Sequence, residues 1–216
     1  MTRVLPVLVL LACSGPQHHD PWHGAHARHF DDLDEALRMF ESPDRDAYQK
    51  PDAVVAALAL GPDASVADIG AGTGYFARRL AKVVAKGTVY AVDIEPVLVD
   101  YMRSEAARLG LKNLVAVLGA PDDPKVAPQS VDLVLIVDTL HHIEHRPDYL
   151  RRLRAALRPG GRVAIVDYRI GPLPLGPAEE HRLAPEQVEA EFAEAGYHRV
   201  ASHDLLPYQY FLEFGL

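Results

Sequence analysis

The chain is poor in cysteine and in positive charge, and it has no long apolar run. Cys13 is the only cysteine among its 216 residues. One cysteine excludes an internal disulfide, and the chain beyond it has no thiol nucleophile. No apolar stretch approaches the ~20 residues needed to span a bilayer. Lys and Arg number 22 against 30 Asp and Glu, a formal charge of −8. An acidic balance opposes sequence-independent binding to a phosphate backbone, so nucleic acid is not an expected partner. No Gly-Lys-Ser or Gly-Lys-Thr occurs, which removes the P-loop. Internal repeats are absent as well.

What is present suits a packed domain. Apolar residues make up 49% and charged residues 24%, the balance of a chain with a proper core. The length allows one α/β domain and not two. The start is different in kind. Met1-Thr2-Arg3 carries one positive charge, residues 4–12 are uncharged and apolar, and Cys13-Ser14-Gly15 follows. That anatomy describes an export signal. Leu10-Leu11-Ala12-Cys13 also resembles a bacterial lipoprotein box, although Leu11 is bulkier than usual there. The expected organisation is a signal segment 1–12, a His-rich leader 13–29 and a folded domain 30–216. A lipidated Cys13 would attach the chain to a membrane. The expected location is the bacterial cell envelope, as a lipoprotein or periplasmic protein, if the signal acts, and the cytoplasm if it does not. In the leader, His19, His23, His26 and His29 would share a helix face able to hold a transition metal. Pro21 and Gly24 oppose that helix, so a solvated linker without metal is expected.

Two amphipathic helices are expected over 31–40 and 51–60, separated by the breaker Ser42-Pro43-Asp44. From Ser65 short β-branched runs alternate with helical stretches. Strands are expected at 66–69, 88–93, 114–118, 131–137 and 162–167, with helices at 74–85, 96–109, 147–157 and 185–195. Continuous Val/Ile/Leu strands separated by helices mean a parallel sheet covered on both faces. The last two strands, 198–203 and 209–214, are joined by a turn too short for a parallel crossover. They should form an antiparallel hairpin at the sheet edge. The fold class is therefore α/β: a doubly wound, seven-stranded, mostly parallel sheet.

The strongest local signal is Val66-Ala67-Asp68-Ile69-Gly70-Ala71-Gly72-Thr73-Gly74-Tyr75. A buried strand runs into a glycine-rich turn and a helix follows. Glycines permit positive φ and let backbone approach a ligand with no Cβ in the way. A dinucleotide fold wants G-x-G-x-x-G/A, and here the third position falls on Tyr75. The spacing is instead G-x-G-x-G, preceded by Asp68. Asp93 ends the next strand, where a carboxylate can accept from both ribose hydroxyls or cap the helix that Pro96 opens.

These residues resemble the first motif of class I S-adenosylmethionine-dependent methyltransferases. The likeness extends over roughly 26–216 and includes Gly119-Ala120-Pro121-Asp122-Asp123-Pro124, Asp138-Thr139-Leu140-His141-His142, Arg158-Pro159-Gly160-Gly161 and the tail Leu206-Pro207-Tyr208-Gln209-Tyr210-Phe211. Small bacterial methyltransferases of the type 11/25-like group share such segments. The resemblance implies S-adenosyl-L-methionine as cofactor, held by Asp68, Gly70, Ala71, Gly72, Thr73, Gly74, Asp93, Ile94 and Asp138. It also implies an acid against the adenine amino group, with Asp122 the first choice and Asp123 the second. Residues 30–62 would fold over the cofactor as lid helices. The methyl acceptor is expected to be a small molecule.

Methyl transfer from a sulfonium needs the nucleophile held about 3–3.5 Å from the methyl carbon, on the axis. An amine, thiol or hydroxyl acceptor must also lose a proton at some stage. His141, His142 and Asp138 sit at the right strand end and are the candidate catalytic residues. Tyr168, His181, Tyr48, Gln49 and Lys50 are further candidates for the pocket wall. An exported chain would meet little S-adenosylmethionine, so a non-catalytic binding protein or sensor is the alternative function.

Overall fold

The computed structural model describes residues 32–216. The signal segment, Cys13 and the His-rich leader lie outside the described residues.

Helix α1 (Leu33–Phe40) starts where Asp32 caps it, its carboxylate accepting from the backbone N–H of Asp34 at 2.9 Å and of Glu35 at 3.4 Å. First-turn N–H groups have no partner within a helix, and this cap supplies one. A five-residue helix α2 (Arg45–Gln49) then occupies a stretch that reads as loop. Lys50, with φ of +42°, breaks it from α3 (Pro51–Ala57), which ends before the expected residue 60.

Strand β1 (Val66–Ile69) leads through the glycine turn into α4 (Ala77–Val83). Then come β2 (Val89–Asp93), α5 (Pro96–Leu109), β3 (Leu114–Leu118) and β4 (Val131–Val137). Helix α6 (Arg146–Ala156) runs directly into β5 (Leu157–Tyr168). Helix α7 (Pro185–Glu194), β6 (His198–His203) and β7 (Gln209–Gly215) complete the chain. The sheet order is β3-β2-β1-β4-β5-β7-β6. β1 to β5 are parallel to their neighbours, and β7 runs antiparallel to both β5 and β6. The expected hairpin is present, with its second strand tucked inside the first.

The sheet is covered on both faces, so its strands are apolar in every register. Along β4, Leu133, Leu135 and Val137 join the core under α3, α4 and α5. Val134 and Ile136, between them, join the core under α6 and α7. Full burial of each such side chain contributes about 1.5–3 kcal/mol, which is why the central strand specifies its place so strongly. The chain winds outward from β1 to β3, then returns to lay β4 on the other side of β1. Connections diverge at that point and leave a crevice at the carboxyl ends of the strands.

Candidate active site

The crevice begins at the glycine turn. Gly70, Gly72 and Gly74 all have positive φ, at 69°, 58° and 81°. A Cβ on Gly70 would lie 2.3 Å from the Thr139 side chain, and one on Gly72 would lie 3.2 Å from the Phe40 ring. The turn therefore requires glycine on two counts, and it delays α4 until Ala77. Asp93 braces it from β2. Its carboxylate accepts from Gly72 N–H at 2.8 Å and from Glu95 N–H at 3.0 Å. Burial pushes this carboxyl up to about 6, against the pull of those backbone donors. A carboxylate has about four lone-pair sites, so acceptor capacity remains on both oxygens.

From the turn a cavity of about 870 Å³ runs to the end of β4. Gly70, Ala71, Gly72, Asp93, Ile94 and the stretch Gly119-Ala120-Pro121 line one end of it. Asp138, His141, His142, Tyr48, Tyr168 and His181 line the other. The remaining expected cofactor residues do not reach the wall. Asp68 lies buried beneath the turn, its Oδ2 without a hydrogen-bond partner. Burial drives its carboxyl up to about 7, against the Arg45 charge and the Ala77 N–H. Thr73 is buried and donates to Glu41, which also takes a two-pronged salt bridge from Arg78 at 2.7 and 2.9 Å. Gly74 backs onto Met102. Asp122 points outward, 77% exposed, toward Arg152 at 3.5 Å. Asp123 pairs with Lys125 at 2.7 Å. Neither loop acid lines the cavity.

At the β4 end two carboxylates converge. Asp138, with φ of +51°, is half-buried, and both its oxygens are engaged. Oδ2 accepts from the Gln49 amide at 2.7 Å and Oδ1 from the Gln209 amide. Burial and the charge of Asp167 raise its carboxyl to about 6, while Arg45, Gln49 and His141 oppose the rise. Asp167, at the end of β5, is 0% exposed and accepts from His141 Nδ1 at 2.9 and 3.0 Å and from Tyr168 N–H at 2.8 Å. The His141 side chain is 1% exposed, and its Nε2 has no partner. Burial disfavours the imidazolium, but the Asp167 charge and hydrogen bond and the Asp138 charge outweigh it and raise the pKa. His142 is exposed at the rim, its ring 4.1 Å from that of His141.

The N-terminal helices supply the roof. Met39, Phe40, Arg45 and Tyr48 line the cavity. Arg45 donates to the Phe40 carbonyl at 2.8 Å and to the Gln49 side chain, and its guanidinium lies 4.0 Å from the Tyr75 ring centre. Its charge acts on both Asp68 and Asp138. Asp167, Arg45 and Gln209 are the site residues that sequence reasoning did not single out. The only available signal was polarity at strand ends and in a short helix, which is also what surface looks like.

The residues present fit an adenosyl sulfonium. The turn lines the cavity with bare backbone at Gly70 and Gly72, and a carboxylate with spare lone pairs stands one strand over. An unpartnered polar atom points to a ligand at the far end. A family model described as "Methyltransferase domain" matches residues 60–211. A SAM-dependent methyltransferase from Aquifex aeolicus superimposes with a TM-score of 0.80 at 24% identity, covering 85% of this chain and 98% of that one. Aklanonic acid methyltransferase DauC of Streptomyces sp. strain C5 is 32% identical over 124 residues, 56% of either chain. The ubiquinone/menaquinone biosynthesis C-methyltransferase UbiE of Ectopseudomonas mendocina is 26% identical over 176 residues, 67% of this chain and 69% of that one. The chain thus spans little over half the length of the Streptomyces relative. It belongs to the methyltransferase domain family, within the class that depends on S-adenosyl-L-methionine.

Proposed function

We propose that the protein methylates a small molecule, with the acceptor bound at the β4 end of the cavity. The carrying observation is the turn at Gly70–Gly72, braced by Asp93, opening into a space that ends at His141. At about 870 Å³ the space lies in the upper part of the roughly 300–1,000 Å³ range of small-molecule pockets. The names of the Streptomyces and Ectopseudomonas relatives point to small molecules as well.

The chain's own residues would divide the work as follows. Gly70, Ala71 and Gly72 present bare backbone to the cofactor. Asp93 accepts from ribose hydroxyls, and Ile94, Ala120 and Pro121 offer apolar contact to the base. Arg45 offers its charge to the amino-acid carboxylate. When bound, S-adenosyl-L-methionine supplies an electrophilic methyl group on a sulfonium. His141 accepts a proton at Nε2. Met39, Phe40 and Tyr48 close the cavity from above and exclude water, which strengthens the fixed charges within it.

Titration with S-adenosylhomocysteine, followed by incubation with methyl-labelled cofactor and a panel of small acceptors, tests the reading. Saturable binding and a labelled small product support it. Binding without transfer to any small acceptor, alongside labelled protein, contradicts it.

A further inference from the structure

Within the described residues one buried ring atom has no protein partner and belongs to a residue that lines the cavity: His141 Nε2. Its opposite nitrogen is tied down. Nδ1 sits 2.9 and 3.0 Å from the two oxygens of Asp167. Asp167 is itself fixed by the Tyr168 N–H at 2.8 Å, within the strand pair of β5 and β7. A carboxylate on Nδ1 makes that nitrogen the donor and leaves Nε2 with an unshared lone pair, on a residue of the cavity lining. Neutral buried ring nitrogens ordinarily find a partner, so an unmet one on a cavity-lining residue marks where a ligand donor belongs.

We propose that His141 Nε2 takes a proton from the methyl acceptor, that Asp167 is the positioning residue that fixes the imidazole for this, and that the acceptor is a phenolic or enolic hydroxyl. The inference rests on the function proposed above and names its substrate class. In the step, the O–H bond breaks, its electron pair stays on oxygen, and the proton ends on Nε2. The imidazolium so formed is favoured by the charge and hydrogen bond of Asp167 and by the charge of Asp138. Arg146, whose charge opposes it, is paired with Glu191 at 2.6 and 2.8 Å. His142 lies alongside, at the rim.

The choice of hydroxyl follows from what each acceptor demands. A neutral amine can attack and keep its proton, because the product is a stable ammonium. A carboxylate is already ionised at neutral pH and needs no base, and here it would face the carboxylates of Asp138 and Asp167. A neutral hydroxyl that attacked without losing its proton would become a strongly acidic oxonium, so a base at the point of attack counts for most there. The cavity wall also suits a flat ring: Tyr48, Tyr168, Ile143, Leu183 and Pro177 are among its lining residues.

Nitrogen-15 NMR of the imidazoles in the full chain, with S-adenosylhomocysteine present, tests the pairing without turnover. The His141 resonance, assigned by its loss in His141→Gln, should titrate above the ordinary value of about 6.5. Above that point it should show a proton on Nδ1 alone. Asp167→Asn should lower the titration point by more than about one pH unit and mix the tautomers, and Asp167→Glu should restore part of the shift. With labelled cofactor, 1-naphthol should be methylated at least about 100-fold faster than 1-naphthylamine or 1-naphthoate, and its rate should rise with pH through the same titration point. A proton on Nε2, an Asp167→Asn spectrum like the parent's, or equal rates for the three naphthalenes overturns the proposal. Failure of S-adenosylhomocysteine to bind is a separate result: it contradicts the proposed function itself and removes the inference with it.

Discussion

The side-chain amide of Gln49 donates to Asp138 Oδ2 at 2.7 Å, tying the last residue of α2 to the end of β4 across 89 positions of sequence. With Gln209 on the other oxygen, this amide holds a carboxylate that burial would otherwise expel. Gln49→Leu leaves one buried oxygen without its donor. An unmade buried hydrogen bond to a charged group costs about 1.5–3 kcal/mol, so chemical denaturation should show a loss of that order. Gln49→Glu sets a second carboxylate against Asp138 and should cost more.

Arg45 gives a prediction that separates the two halves of the cofactor. Arg45→Met keeps most of the side-chain bulk and removes the charge. Affinity for S-adenosylhomocysteine should fall roughly 10- to 100-fold, the worth of one charge-assisted pair. Affinity for 5′-methylthioadenosine, which has no amino-acid carboxylate, should stay the same. Competition calorimetry with both ligands reads the difference, and an equal loss for the two would assign Arg45 a purely structural role.

Asp93 both braces the turn and faces the cavity. Asp93→Ala removes acceptors for Gly72 N–H and Glu95 N–H as well as for the ribose. Affinity for S-adenosylhomocysteine and for 5′-methylthioadenosine should fall together, each by roughly 100-fold or more. Gly72→Val should abolish binding. It forces a β-branched residue to φ of 58° and drives its Cβ toward the Phe40 ring, strain of about 1–3 kcal/mol before any clash with ligand.

The buried acids set how stability depends on pH. Asp68, Asp93 and Asp138 have folded-state values raised to about 7, 6 and 6. Between pH of about 4 and those values the unfolded chain has released protons that the folded chain keeps. Stability therefore falls as pH rises through that window. His141, whose value is also raised, adds a further fall as pH climbs past its unfolded value. The ligand-free chain should melt higher at pH 5.5 than at pH 8. Asp68→Asn should flatten that slope up to pH of about 7, including the stretch above about 6 that the other two acids no longer affect, and scanning calorimetry of both across the range measures it.

How much of this was open to sequence reasoning depends on the range of the forces involved. Strands β1, β3 and β4 and helix α5 fall where local pattern puts them, because an unbroken apolar run or a Pro at the first helical position acts over a few residues. The glycine turn and Asp93 were legible for the same reason. Helix α2 was not, since five residues carry no periodicity and a Pro precedes them. Asp167 reads as the polar end of a strand until β5 packs beside β4 and brings His141 within 3 Å of it. Asp122 is the converse: an acid in a promising loop, which the fold turns outward to Arg152.

Calorimetric titration of the full chain with S-adenosylhomocysteine tests the central claim most directly. The account predicts one saturable site per chain with a dissociation constant of roughly micromolar order, lost in Gly72→Val. A parent protein that gives no binding heat at about 1 mM ligand, the limit of weak association, would contradict it.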